Sequence, residues 1–115
     1  MTKVACGDIW LVNYSPSIGH EYQKIRPAVV ISPDALLKRS SLFTCIAVTS
    51  KTTKITADDI ELPKTSKNKL HQDSVVKMHH LTSYDKRRLH KYIGEIDSKT
   101  LETIKDRLKK LYELP

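Results

Sequence analysis

Two short segments combine hydrogen-bond donors with positive charge, which are the groups that bind an anionic ligand. In residues 19–27, a polar loop carries Arg26 directly onto an apolar strand. In residues 48–51, two hydroxyl groups and a lysine end an apolar run. Each segment also has an ordinary structural explanation. An arginine beside a core needs a counter-charge such as Glu21 or Asp8, and polar residues commonly terminate strands. Neither segment alone therefore assigns a function.

The charge balance favours a polyanionic partner. The chain has 115 residues, of which 20 are basic and 13 acidic, for a net charge of +7. Such a surface suits nucleic acid or an acidic peptide, although it is equally typical of a well-solvated small protein. A chain of this length is expected to form one domain that spans residues 1–115.

Metal and nucleotide chemistry are not expected. The five histidines and two cysteines show neither an HExxH motif nor paired metal-ligand spacing, which predicts that there is no metal site. No phosphate-binding GxxxxGK loop is present and the three glycines do not form a dinucleotide fingerprint, so no cofactor is expected. Cys6 and Cys45 are expected to be reduced thiols.

The chain is expected to act in the cytoplasm and away from membranes. Its uncharged stretches are well short of the roughly 20 apolar residues that span a bilayer. The first six residues, which include Lys3, also lack the apolar centre of a signal peptide.

The hydrophobic pattern predicts several short strands followed by one amphipathic helix. The helix begins at Asp97 or Ser98 and places Leu101, Ile104, Leu108 and Leu111 on one face. Strands are predicted over Ile9–Tyr14, Ala28–Ile31, Leu42–Thr49, Ile60–Leu62, Ser74–Leu81 and Tyr92–Ile96, with helical turns over Ala35–Lys38 and Lys86–His90. This order favours a compact barrel with a helix packed on it.

Several blocks along the chain resemble the MazF/PemK toxin family. In order, they are residues 7–10 (GDIW), 16–21 (PSIGHE), 23–32 (QKIRPAVVIS), 46–51 (IAVTSK), 73–76 (DSVV), 81–89 (LTSYDKRRL) and 93–94 (IG). The chain departs from the family in two places. It has Gln23–Ile25 where a glycine often precedes the arginine–proline pair, and His79–His80 where many relatives have a glutamine.

The resemblance implies an SH3-like small β-barrel with short helices and a C-terminal amphipathic helix, assembled as a homodimer. It also implies a toxin of a type II toxin–antitoxin system, neutralised by a cognate acidic antitoxin. The implied activity is metal-independent, sequence-specific endoribonuclease cleavage of single-stranded mRNA, which inhibits translation and growth. By position, the catalytic residues carried over from the family are Arg26 and Thr49.

Cleavage without a metal uses the 2′-hydroxyl of the RNA as nucleophile and leaves 2′,3′-cyclic phosphate and 5′-hydroxyl ends. In this mechanism Arg26 donates hydrogen bonds to phosphoryl oxygens, and the Thr49 hydroxyl donates one to a further phosphoryl oxygen. His20 is a third candidate catalytic residue, because a histidine side chain titrates closest to neutral pH. The residues expected to bind RNA are Glu21, Lys24, Ser50, Lys51, Lys54 and His80.

Two other functions fit the same fold. One is a noncatalytic, CcdB-like toxin that binds a protein target, against which the presence of Arg26 and Thr49 argues. The other is an SH3-like module that binds RNA or a peptide, for which the net charge alone would suffice. Cleavage of a long RNA in excess EDTA separates the nuclease from both alternatives.

Overall fold

A computed structural model describes residues 3–16, 18–22, 24–50 and 54–115. The strands are β1 (Asp8–Asn13), β2 (Ile25–Val30), β3 (Leu42–Ser50), β4 (Ile60–Leu62), β5 (Ser74–Asp85) and β6 (Leu89–Glu95). The helices are α1 (Asp34–Arg39) and α2 (Ser98–Leu111), with a 3-10 turn over Lys86–Arg88. The predicted order of elements is therefore confirmed.

The six strands form one antiparallel sheet in the order β4-β5-β3-β2-β1-β6. Within the described ranges β4 does not pair with β6, so hydrogen bonding between strands does not close the predicted barrel. The segment that follows β4 contacts β6 instead, where the Glu95 N–H donates to the Lys67 carbonyl over 3.3 Å. Gly94 permits this approach, because a Cβ there would lie 2.6 Å from the Asn68 carbonyl oxygen. The mainly β fold with added helices agrees with the prediction.

Strand alternation gives the sheet two apolar faces. One face carries Ile9, Val29 and Ile46, and α2 packs on it through Ile104. The other carries a second cluster of buried residues: Trp10, Val12, Tyr14, Ala28, Val30, Leu37, Phe43, Cys45 and Ala47. We call this second face the aromatic face. It is the face that leads to the candidate site.

β2, β5 and β6 extend beyond the bounds that the sequence pattern predicts, and α2 begins as expected. The predicted helical turn over Lys86–His90 is too long, because β6 already begins at Leu89, which pairs with Val12 of β1. β2 starts at Ile25 because its pairing with β1 continues through Pro27 opposite Leu11. β5 runs on to Asp85 because its second half pairs with the first half of β3. At the start of α2, the Asp97 carboxylate accepts the Thr100 N–H at 2.7 Å. Neither α1 nor α2, in the part of the chain described, is long and apolar enough to cross a membrane.

Candidate active site

The loop between β1 and β2 is held firmly at its base. The Tyr14 N–H donates to the Lys24 carbonyl at 2.7 Å, and the Lys24 N–H donates to the Ser15 hydroxyl at 2.8 Å. The Arg88 guanidinium donates to the carbonyls of Asn13 and Ser15 at 3.0 and 2.7 Å. Lys24 has a φ of 63°, in the left-handed region, so the chain turns sharply just before it enters β2. This base fixes where β2 begins.

Arg26 is the second residue of β2 and lies on the aromatic face. It pairs with Val12 of β1, a buried member of the same face, and is itself half-buried. Its guanidinium carbon lies 4.9 Å from the centre of the Tyr22 ring. A cation at this distance is attracted by the negative face of the ring. Tyr22 therefore contributes to the orientation of the Arg26 side chain.

Thr49 lies near the end of β3, 8% exposed, opposite Val75 of β5. In the antiparallel β2–β3 register Ala28 pairs with Ala47. Arg26 and Thr49 each lie two residues beyond that pair, towards the same end of the sheet. Because side chains two residues apart share a face, both point to the aromatic face. Two segments that are separate in the sequence thus converge on one end of one sheet face.

Aromatic rings surround this end of the sheet. Tyr14 makes edge-to-face contacts with Tyr22 and Tyr84, with centroid separations of 6.2 and 5.5 Å. Its hydroxyl lies 3.7 Å from the Cys45 sulfur. Burial raises the pKa of the Tyr14 hydroxyl well above its ordinary value and raises the pKa of the Cys45 thiol to about 11. Both groups are therefore neutral at physiological pH, and Tyr14 is a rigid support. Cys6 and Cys45 are free thiols, as expected.

A bulge in β5 brings His80 to the same place. Ile46 pairs with Leu81 and Val48 pairs with Val76, so Ala47 alone faces the four residues 77–80. The His80 ring lies 4.3 Å from the Tyr22 ring, centre to centre, and is tilted by 37°. Burial, followed by the positive charge of Lys77 and the neighbouring His79, lowers the pKa of His80 below its ordinary value. His80 is consequently a neutral ring at pH 7.

A buried ion pair anchors the connection between β3 and β4 beside this bulge. Lys77 Nζ lies 2.7 Å from the Asp59 carboxylate, and their side chains are 11% and 1% exposed. Lys77 Nζ also donates to the Lys54 carbonyl at 2.8 Å. His79 pairs with Asp58 at 2.8 Å. The charge of Lys77 is thus neutralised by the Asp59 carboxylate, whereas the Lys54 side chain is exposed.

The other predicted site residues differ in their surroundings. The Glu21 carboxylate accepts the Ile18 N–H at 2.7 Å, so it holds the loop. His20 is exposed and makes no hydrogen bond or ring contact with any other described residue, so the structure does not bring it to Arg26. Lys24 is exposed, Ser50 is half-buried opposite Ser74, and Lys51 lies outside the described residues.

Tyr22 is not among the site residues that the sequence predicts. Its signal was weak but present, because it is an aromatic residue in an otherwise polar loop, four residues before the arginine. No group of three or more His, Cys, Asp or Glu side chains among the described residues is arranged to hold a metal ion.

Comparisons with known proteins show to which family the sequence is similar. The sequence pattern of the PemK-like, MazF-like toxin family of type II toxin–antitoxin systems matches residues 5–112. The chain is 32% identical over 99 residues to the Endoribonuclease MazF of Staphylococcus saprophyticus, covering 85% of this chain and 82% of that protein.

Solved structures of MazF proteins also match almost the whole chain. The crystal structure of MazF from Deinococcus radiodurans matches with a TM-score of 0.82 and 29% identity over 96% of each chain. A MazE–MazF crystal structure from the same organism matches with a TM-score of 0.76 and 26% identity over 97% of each chain. The similarity extends over both segments that approach the aromatic face.

Proposed function

This chain belongs to the PemK-like, MazF-like toxin family of type II toxin–antitoxin systems, and from that premise we propose that it cleaves single-stranded mRNA with Arg26 and Thr49 at the scissile phosphate. Endoribonuclease is the activity named for the relative that is 32% identical, and this chain has the same class of activity. The chemical route, the residues and the assembly are the parts that we propose.

The observation that carries the proposal is the convergence of Arg26 and Thr49. Both lie on the aromatic face, at corresponding points beyond the Ala28–Ala47 pair. A guanidinium fork and a neighbouring hydroxyl supply donors to several oxygens of one phosphate. The half-buried setting of Arg26 strengthens such hydrogen bonds, because the local dielectric is lower than in water.

In the reaction, the 2′-hydroxyl of the RNA attacks the adjacent phosphorus and the 5′-oxygen of the next nucleotide leaves. The products are a 2′,3′-cyclic phosphate and a 5′-hydroxyl. Charge accumulates on the phosphoryl oxygens, where Arg26 and Thr49 stabilise it. A guanidinium keeps its proton and its positive charge in water, so Arg26 acts as an electrostatic clamp. His20 assists proton transfer when the loop carries it to the bound RNA.

The RNA strand follows positive side chains of the chain, of which Lys51 lies outside the described residues. Lys24, Lys54 and Lys51 hold phosphates, and Ser50 donates a hydrogen bond next to Thr49. His80 presents an aromatic ring and polar edge to an unstacked base, while Glu21 keeps the loop in the binding conformation. Sequence specificity then comes from contacts to splayed bases rather than from the phosphate clamp.

The active form is a homodimer in the cytoplasm, inhibited by an acidic antitoxin segment. Among the described residues, β4 and β6 each pair with one strand only, and Ile25 and Tyr92 are 44% and 46% exposed, which favours a second copy as cover. A net charge of +7 favours an acidic segment that competes with RNA. The related crystal structure from Deinococcus radiodurans contains MazE together with MazF, which supports a protein partner for this chain.

The test is incubation of the purified chain with a long RNA in excess EDTA, followed by mapping of both ends of each product. The proposal requires cuts at discrete sequences with 2′,3′-cyclic phosphate and 5′-hydroxyl ends. Binding without cleavage, in a preparation free of antitoxin, would favour a noncatalytic binding module instead.

A further inference from the structure

The Arg26 side chain rests on a support that begins at Tyr22. The guanidinium carbon is 4.9 Å from the centre of the Tyr22 ring. The loop that carries Tyr22 is closed at its base by the Tyr14–Lys24 backbone hydrogen bond of 2.7 Å. The ring itself is half-buried and packs against the aromatic face. Tyr22 is thus held by its ring contacts, next to a loop base that a backbone hydrogen bond closes.

Two further rings hold Tyr22 from different strands. Tyr14 of β1 contacts it edge to face at 6.2 Å, and Tyr14 is only 2% exposed. His80 of β5 stacks on it at 4.3 Å. The β5 bulge brings His80 into this contact, since four residues of β5 face Ala47 alone. Arg26, Tyr22 and His80 therefore form one continuous row, which we call the Tyr22 stack.

We propose that Tyr22 is a positioning residue for Arg26, and that His80 completes the support by stacking on Tyr22 and holding it in register. This inference rests on the proposed function, because it assumes that Arg26 contacts the scissile phosphate. Placement matters at this point, since misplacing a catalytic group by about 1 Å can cost on the order of 100-fold in rate.

The stack makes the orientation of Arg26 sensitive to acid. Protonation of His80 would place an imidazolium on the ring that the Arg26 guanidinium already occupies, and the two cations repel. On β5, Lys77 and His79 add positive charge around His80, and Asp59 of the β3–β4 connection opposes it. Burial, followed by the positive charges of Lys77 and His79, keeps the pKa of His80 below that of an ordinary histidine. The support is therefore intact at neutral pH and weakens only in more acidic solution.

The first arm of the experiment compares substitutions at Tyr22 in the full-length protein. Tyr22→Phe keeps the ring and should cleave RNA within about twofold of the wild-type rate, whereas Tyr22→Leu should lower kcat by about tenfold with little change in KM. Tyr112→Leu is the matched control, because that tyrosine is 51% exposed after α2. The effect of Tyr22→Leu should vanish in an Arg26→Ala background, because the two changes remove one function.

The second arm observes Arg26 directly by NMR of its Nε–H group, assigned by its loss in Arg26→Lys. In the wild type the resonance should show a ring-current shift, and Tyr22→Leu should remove it while Tyr112→Leu does not. On acidification the wild-type resonance should move, and His80→Gln should abolish that movement. His90→Gln, an exposed β6 histidine, is the control.

The outcomes separate the two claims. An Arg26→Ala variant with full activity would overturn the proposed function. An inactive Arg26→Ala variant beside a fully active Tyr22→Leu variant, or losses that simply multiply in the double variant, would overturn the positioning role alone. If Tyr22→Leu does not fold, a wild-type Arg26 resonance without a ring-current shift overturns the same claim, and a shifted resonance that responds to His80 supports it.

Discussion

The Arg26 guanidinium carbon lies 4.9 Å from the centre of the Tyr22 ring, although the two residues belong to different elements. Tyr22 lies in the polar loop before β2, and Arg26 is already within β2. The contact joins the loop to the strand at the point where we propose that a phosphate binds. It means that the arginine is presented by a folded support rather than by a free surface side chain.

Removal of the Thr49 hydroxyl should slow cleavage without unfolding the protein. Thr49→Val keeps the branched shape of a β3 residue that is 8% exposed, so the sheet should remain intact. Loss of one donor to the developing charge should lower kcat by about 10²–10³-fold. Thr49→Ser should recover most of the rate, because it restores the hydroxyl.

Thr44→Val provides the control for Thr49, because Thr44 also belongs to β3. Its hydroxyl lies 2.6 Å from the Ser83 hydroxyl of β5. It should cleave at nearly the wild-type rate. Equal rates for Thr49→Val and the wild type in a single-turnover assay would remove Thr49 from the site.

Substitution of His20 tests whether the exposed loop histidine moves a proton. Because a group that transfers a proton leaves a step in the pH–rate profile, His20→Gln should lower the cleavage rate and remove one such step. His71→Gln, another exposed histidine, should leave the profile unchanged. A His20→Gln profile that superposes on the wild type would limit His20 to solvent contact.

The buried Lys77–Asp59 pair should contribute strongly to stability. Lys77→Met leaves the Asp59 carboxylate, 1% exposed, without its counter-charge, and should reduce the free energy of unfolding by about 3 kcal/mol at pH 7. Urea unfolding measures this difference. Lys91→Met, which removes an exposed lysine on β6, should change stability by less than about 0.5 kcal/mol.

The contribution of this pair should depend on pH in a defined direction. Burial raises the pKa of Asp59, but the Lys77 ammonium and the Thr56 and Met78 N–H groups outweigh it and hold the pKa below 3.8. A carboxylate with a lowered pKa stabilises the folded state at pH values above its ordinary pKa. That stabilisation is lost as the pH falls through the lowered pKa, because the group then becomes protonated in the folded state as well. The gap between wild type and Lys77→Met should therefore narrow in acid. A constant gap from pH 7 to about pH 2 would contradict this account.

Light scattering tests the homodimer. At micromolar concentration the protein should have the mass of two 13.2 kDa chains.

An acidic antitoxin segment should compete with RNA, and its affinity should fall as salt rises, because the attraction is screened. A species of single-chain mass that cleaves at full rate would contradict the dimer, and cleavage unaffected by bound antitoxin would contradict a shared surface.

The sequence was sufficient for the elements but not for their side-chain contacts. The period of Leu101, Ile104 and Leu108 predicted α2, and Asp97 caps it as expected. The Tyr22–His80 contact was not predictable, because it depends on a bulge in β5, and hydrophobic alternation does not reveal how many residues a bulge inserts. The positions of β4 and β6 at the two ends of the sheet were not predictable either, because strand composition does not specify which strands pair.

Cleavage of a defined RNA by Arg26 variants in EDTA tests the central claim most directly. Arg26→Ala should reduce cleavage by at least about 10³-fold while its circular dichroism and Tm stay close to those of the wild type. Arg26→Lys should restore little, because a point charge does not replace a bidentate fork. Arg39→Ala, an exposed arginine beyond the far end of β2, should remain fully active. An Arg26→Ala protein that cuts RNA at the wild-type rate would contradict the account.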